Sequence, residues 1–537
     1  MKNYFINGSK YLVDQQISEI NKIGSTIIDC AKEEGYIQIS TPYFENYELF
    51  KNYGKLNTLT MTKLIDKDGE VLVLRPDATI AAAKIVSSVY KNSKEVIKLC
   101  YLDTIFREYK SPKNYGRDFL QGGIEIFGLD SPEEDCEVIE MALKMLNQIG
   151  MVNIQLDIGN VAYQEEYFKT LNISENCKCK IKNLIDSKNL SDLNEFLKVL
   201  DIDSTDKYFI KLLPNLFGEF DKTYKLAKNY CKNSLMESAL NRLKSIYTIL
   251  KRDTSLNLKL DLSFTNNLNY YTDLIFKVYA GSLHVPVVSG GRCNNLAGDF
   301  GMQRPCCGFG INVNFIHEFW EEDSYDSIVH IALAKGRVHK EAMKQFEKCG
   351  LSFPEYSENS RKLLFLDSTG TVEIILVKSP DVPIYVENGA ADIGIVGNDI
   401  LLETPYEVYE LMNLNIGKCR ISTAKLKNTT INYNKKLSVA TKYPSIANDF
   451  FNKKEMPINV IKLNGSVELG SLVKMSDLIV DIVETGETLK ENNLVEEEKI
   501  LDISSRLICN KVALKTKNQQ VKSIVNMLKN LELKVED

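Results

Sequence analysis

The sequence predicts a chain of mixed strands and helices divided into separate domains, on three observations. At 537 residues it is too long for a single core and suggests two to four domains. Short apolar strands leading into glycine-containing turns occur in both halves, as in Gly123-Ile124-Glu125-Ile126-Phe127 and Leu478–Leu489. Between the halves, Phe319–Asp326 (FWEEDSYD) turns polar and acidic after an apolar run. This places a first half at 1–320, a linker at 321–326 and a second half at 327–537.

Composition narrows the function classes. The 44% apolar and 26% charged residues are those of an ordinary soluble globular protein. No apolar run is long enough to span a bilayer, and MKNYFINGSK has no signal-peptide core, so a cytoplasmic protein is expected. The net charge of −6, without a basic tail or stripe, argues against extended nucleic-acid binding. The twelve cysteines are scattered, and neither Cys177-x-Cys179 nor Cys306-Cys307 has zinc-site spacing. Reduced, unpaired thiols are therefore expected. Glu496-Glu497-Glu498 reads as a solvated face.

In the first half the informative segments are Leu72–Thr79 (LVLRPDAT), Leu99–Glu108 (LCYLDTIFRE), Arg117–Gly128 (RDFLQGGIEIFG), Leu268–Thr272 (LNYYT) and Val288–Leu296 (VSGGRCNNL). Alternation in 123–127 fits a strand whose Glu125 faces away from its isoleucines. From about 160 to 253 the pattern is helical and lysine-rich, as expected of an inserted helical subdomain. Together these motifs resemble the catalytic core of histidyl-tRNA synthetase over roughly the first 320 residues. The resemblance implies an α+β fold of class II synthetase type, an antiparallel sheet flanked by helices. It further implies a histidine pocket at Asp77, Thr79, Arg107, Gln121, Glu125 and Tyr271. A carboxylate such as Glu125 or Asp77 suits an ammonium or imidazole N–H, and Gln121 suits the amino-acid head group. The competing reading is a buried polar network that supports the sheet.

The departures from that resemblance bear on function. Asparagine stands where the synthetase has an arginine, in 265–269, and Phe315 falls near the place of the late arginine that clamps ATP. Without those guanidiniums the charge developing in adenylate formation lacks a counter-charge. No anticodon-binding domain follows. This half resembles the regulatory subunit of ATP phosphoribosyltransferase.

The second half opens with Ala334–Arg337 (AKGR) after a short apolar strand. Ile384–Asp399 (IYVENGAADIGIVGND), Val439–Pro444 (VATKYP), Ile461–Leu469 (IKLNGSVEL) and Leu478–Leu489 (LIVDIVETGETL) follow. In the last, an apolar strand meets a Thr485-Gly486-Glu487-Thr488 turn and then a helix. Gly486 permits the turn, and unpaired N–H groups at the helix start suit a phosphate. An ordinary strand–turn–helix connection is the alternative. In order, these segments resemble the short-form catalytic subunit of ATP phosphoribosyltransferase, with lysine at position 474 where the family usually has glycine.

That resemblance implies an α/β fold of two lobes, like a periplasmic binding protein, with substrates meeting at strand ends. It implies transfer of a phosphoribosyl group from 5-phosphoribosyl 1-pyrophosphate (PRPP) to N1 of ATP, with magnesium on the phosphates. Lys335 and Arg337 are the expected catalytic cations, supported by Arg361 and Lys378. Asp481 and Glu484 are expected at the ribose hydroxyls or a magnesium ion, and Thr485, Gly486, Glu487 and Thr488 at the 5-phosphate. Gly336 and Tyr443 are the ATP-side candidates, Tyr443 fitting either the core or a stack on adenine. Asp392 and Asp399 read as caps and turn formers. Joined in one chain, the halves imply histidine as an effector and a symmetric homo-oligomer. A histidine-sensing protein with a degenerate catalytic half is the rival reading.

Overall fold

The computed structural model describes residues 11–53, 61–107, 109–110, 115–253, 256–264, 270–280, 285–320, 328–357, 360–433 and 435–533. The chain forms two compact units, Met1–Asp326 and Ser327–Asp537. The linker at 321–326 and the stretch 265–269 lie outside the described residues. Among the described residues no helix is long and apolar enough to cross a membrane.

The first unit is built on a nine-stranded sheet. Its centre is the run Ile97–Ile105, Phe119–Phe127, Cys306–Asn312, Val288–Arg292 and Leu274–Ala280, all antiparallel neighbours. The expected antiparallel sheet is in fact mixed. Ile37–Ile39 joins Ile97–Ile105 in parallel, and Asn257–Asp261 joins Ile154–Asn160 in parallel. Both pairings depend on long crossovers that local alternation does not encode.

Alternation in Phe119–Phe127 decides which face does what. Ile124 and Ile126 enter a large apolar cluster with Ile23 and Ile27 of helix Gln15–Glu33 and Val138 and Ile139 of helix Pro132–Ile149. Gln121, Gly123 and Glu125 face the other side, beneath helix Ala78–Val89. Asp77 starts that helix, its side chain accepting from Ile80 N at 3.1 Å. The lysine-rich region forms helices from Val161–Thr170 to Ser234–Leu250. They share one apolar cluster with the sheet, through Leu193, Phe209 and Leu243, so they form no separate core.

Cysteine usage differs from expectation. Cys293 and Cys306 form a disulfide, and ten cysteines are free. The cause is tertiary: strands Val288–Arg292 and Cys306–Asn312 pair with Arg292 opposite Cys307, and Cys293 N donates to Cys306 O at 2.7 Å. Residues thirteen apart in sequence thus become cross-strand neighbours.

The second unit has two lobes. One holds a six-stranded sheet ordered Leu364–Leu366, Val372–Val377, Val329–Ala334, Ile393–Gly397, Ser505–Asn510 and Val408–Asn413. The other holds a five-stranded sheet ordered Ile458–Lys462, Leu437–Thr441, Leu478–Val483, Cys419–Leu426 and Leu494–Ile503. The chain crosses between lobes after Asn413 and again after Ile503. At these crossings Ser505 N donates to Ile416 O, and Leu414 N to Ser505 O, both at 2.9 Å. Asn398 brackets the second crossing, donating from its N to Ser504 O and accepting from Ser504 N at its Oδ1, both at 3.0 Å.

Candidate functional site

In the second unit the candidate residues gather at the C-terminal ends of parallel strands, where α/β sheets hold ligands. Val329–Ala334 and Val372–Val377 run in parallel with Ala334 opposite Val377. Lys335 and Lys378 therefore leave the sheet side by side, and Lys335 N donates to Val377 O at 2.9 Å. Both side chains are exposed. Gly336 turns with φ +119, a value that favours glycine, and precedes helix Arg337–Lys348. Arg361 comes two residues before Leu363, whose carbonyl accepts from Leu376 N at 2.8 Å. It thus reaches the same sheet end as Lys378.

In the other lobe Leu437–Thr441 and Leu478–Val483 are parallel, with Thr441 opposite Val480. Tyr443 follows the first strand and the Thr485–Thr488 turn follows the second. Gly486 has φ +79 and opens a five-residue helix, Glu487–Glu491. Glu487 N donates weakly to Thr485 Oγ1 at 3.4 Å, and Glu484, Thr485, Glu487 and Thr488 are exposed. Burial pushes the Asp481 carboxyl up to about 6, with the charge of Glu468 adding and Lys442 opposing.

The two strand ends meet through Tyr443. Its hydroxyl donates to Asp399 Oδ2 at 2.9 Å, from one lobe to the other. The residue is only 2% exposed and belongs to the core of its lobe, which corrects the adenine-stacking option: no ring face is available. Burial pushes the Asp399 carboxyl up, and the bond from Tyr443 partly offsets this. Asp392 also departs from the cap reading. Its carboxylate accepts from His330 N and Lys517 Nζ, both at 2.9 Å, tying the C-terminal helix region to the sheet. Glu403 was not legible as a site residue, yet its carboxylate accepts from Ser445 N and Ile446 N across the lobes.

The first unit brings its candidates together around Glu125. Thr79 Oγ1 donates to Glu125 Oε1 at 2.6 Å, while Oε2 is buried without a hydrogen-bond partner. Tyr270, whose hydroxyl donates to Asp77 at 3.3 Å, lies edge-on to Tyr271. Burial pushes Asp77 up, with Arg107 opposing. Glu125, 1% exposed, is pushed up to about 8 by burial, with Thr79 opposing and Asp77 adding. Gly308 and Gly310 of the neighbouring strand leave room for Glu125 and Gln121, since a Cβ at either would collide with those side chains. Arg107 lies over the Phe119 ring at 5.8 Å. Arg75, missed by motif reading, anchors this corner through Asp103 at 3.3 Å and the Thr104 carbonyl. Phe315 packs into the apolar core.

Comparison with known proteins agrees with this division. Residues 8–316 match the family model described as histidyl-tRNA synthetase, and residues 378–530 match that described as ATP phosphoribosyltransferase. An ATP phosphoribosyltransferase of Oceanobacillus iheyensis is 49% identical over 200 residues, covering 37% of this chain and 96% of that protein. One from Clostridium acetobutylicum is 44% identical over 203 residues, covering 38% and 94%. A solved structure from Bacillus halodurans, described as an ATP phosphoribosyltransferase regulatory subunit/histidyl-tRNA synthetase, superposes with a TM-score of 0.55 at 23% identity. It covers 70% of this chain and 93% of that one, and supports the fold alone. The chain thus belongs to the ATP phosphoribosyltransferase family through its second half, joined to a first half of the histidyl-tRNA synthetase family.

Proposed function

We propose that the second unit transfers the phosphoribosyl group of PRPP to N1 of ATP, and that the first unit senses histidine and adjusts that activity. The convergence of Lys335, Lys378 and the Thr485–Thr488 turn on strand ends joined by Tyr443 and Asp399 supports the catalytic reading. C1 of PRPP gains oxocarbenium character as pyrophosphate leaves. In this reading Lys335, Arg337, Arg361 and Lys378 offset the charge of the departing oxygens. The Thr485–Thr488 turn holds the 5-phosphate, and Asp481 and Glu484 hold the ribose hydroxyls. Gly336 gives the ATP side close backbone approach. N1 of adenine has a free lone pair, so no general base is required.

Magnesium fits as a companion of the substrate phosphates. Asp481 beside Glu468 is a hard oxygen donor whose raised value a cation would relieve. Among the described residues no group of three or more ligating side chains gathers there. One or two carboxylates plus phosphate oxygens is the arrangement magnesium favours. Bound there, it would neutralise the leaving pyrophosphate.

The histidine reading rests on the unpaired Oε2 of Glu125, since a network serving only to support the sheet would satisfy that atom. Phe315 in the core supports the loss of aminoacylation. We further propose a cytoplasmic homo-oligomer. The test is turnover of the full chain with ATP, PRPP and magnesium, with and without free histidine. Turnover that falls with histidine supports both units. Turnover indifferent to histidine keeps only the catalytic reading, and substrate binding without turnover favours the sensor alternative.

A further inference from the structure

Glu125 has a second neighbourhood that the histidine reading does not use. The Sγ atoms of Cys293 and Cys306 and a carboxylate oxygen of Glu125 all lie within 4.8 Å of one another, and all three residues are buried. The cysteines are brought together by the strand pairing described above, their Cα atoms 5.1 Å apart. Glu125 adds an oxygen that is buried and has no hydrogen-bond partner. Apolar residues Leu99, Phe127, Leu296 and Ala297 share the cluster with the cysteines.

We propose that, once the Cys293–Cys306 disulfide is reduced, Glu125, Cys293 and Cys306 hold one thiophilic divalent cation of the zinc class. Two thiolates and a carboxylate are a donor set suited to zinc, and three protein ligands leave a fourth position open. The disulfide and the metal exclude one another, because sulfurs bonded to each other are no longer thiolates. Reduction by a phosphine breaks the S–S bond: water supplies the oxygen of the phosphine oxide and the two protons of the thiols. Metal binding then releases the protons of the two thiols, and that of Glu125 where it is protonated. A reducing compartment keeps the pair in the metal-competent state. The site shares Glu125 with the histidine reading, so an occupant of one would contend with the other for that carboxylate.

The test uses the full chain carrying C177S and C179S, which removes the other close-spaced cysteine pair. Two samples are compared, disulfide-bonded and phosphine-reduced with the phosphine removed, and cobalt(II) is titrated into each without oxygen. Expected is one cobalt per reduced chain with thiolate-to-cobalt charge-transfer absorption, and none in the disulfide form. C293S and E125Q should each weaken binding tenfold or more. Equal uptake by both redox forms, uptake unchanged in E125Q, or no thiolate–cobalt absorption would each overturn the proposal. The comparison of redox forms needs no substitution at the site, so misfolding of C293S cannot blur the result.

Discussion

The hydroxyl of Tyr443 donates to Asp399 at 2.9 Å, and this bond joins the strand ends of the two catalytic lobes. The carboxylate of Asp399 is buried, so losing the donor leaves a charge-bearing group without that partner. Tyr443→Phe should destabilise the second unit by about 1–3 kcal/mol. Denaturant unfolding of the full chain checks this, followed on a probe in that unit. A midpoint identical to that of the parent protein would show that the bond contributes nothing.

On the role proposed for Asp481, protonation of its carboxylate sets a pH limit on catalysis. Burial pushes its carboxyl up to about 6, and only the ionised form is suited to holding ribose hydroxyls or a magnesium ion strongly. In kcat/KM for PRPP, activity should fall about tenfold per pH unit below that value. Asp481→Asn should lower activity and remove that acid limb. An acid limb that persists unchanged in the variant would assign it to another group.

In the proposed histidine site, Glu125 would link ligand binding to protons. Its folded value, about 8, lies above that of an unfolded carboxylate. The folded state therefore holds the proton more tightly. Stability from this group is full below the unfolded value and is lost as pH rises through about 8. A cationic group bound at Oε2 favours the ionised form, so histidine binding near neutral pH should expel a proton. Calorimetry in two buffers of different ionisation heat measures it. Glu125→Gln should abolish the buffer dependence, and a variant that keeps it would place histidine elsewhere.

Lys474 adopts φ +59 just after helix Glu468–Leu472, a left-handed conformation in which a side chain costs about 1–2 kcal/mol. A glycine there removes that cost but loses more backbone entropy on folding. Lys474→Gly should accordingly leave turnover unchanged and raise stability by up to about 1 kcal/mol. A lowered Tm would mean that the lysine side chain makes a compensating interaction.

Much of the fold and of the candidate site was legible in the chain itself. Two-residue alternation in Gly123-Ile124-Glu125-Ile126-Phe127 separates Glu125 from its isoleucines, as the strand Phe119–Phe127 bears out. The glycine of the Thr485–Thr488 turn marked a backbone that only a left-handed residue fits well, and Gly486 has φ +79. Both are local properties, set by the pleat and by the steric demands of one residue. Tyr443 shows the limit. Its segment left core and adenine stack both open, and the choice fell to packing with Ile421, Val439 and Leu478 and to a hydroxyl bond to Asp399, 44 residues earlier in the chain.

Spacing and composition act over a few residues, and they suffice to mark two unlike units and the motifs of each. That Cys293 pairs with Cys306, that Glu403 spans the lobes to Ser445 and that Glu125 keeps one oxygen unpaired is visible in the folded chain alone. Those outcomes depend on strand register and on contacts between distant segments. The free energy of such contacts comes from the burial of whole faces, which no short stretch of sequence carries.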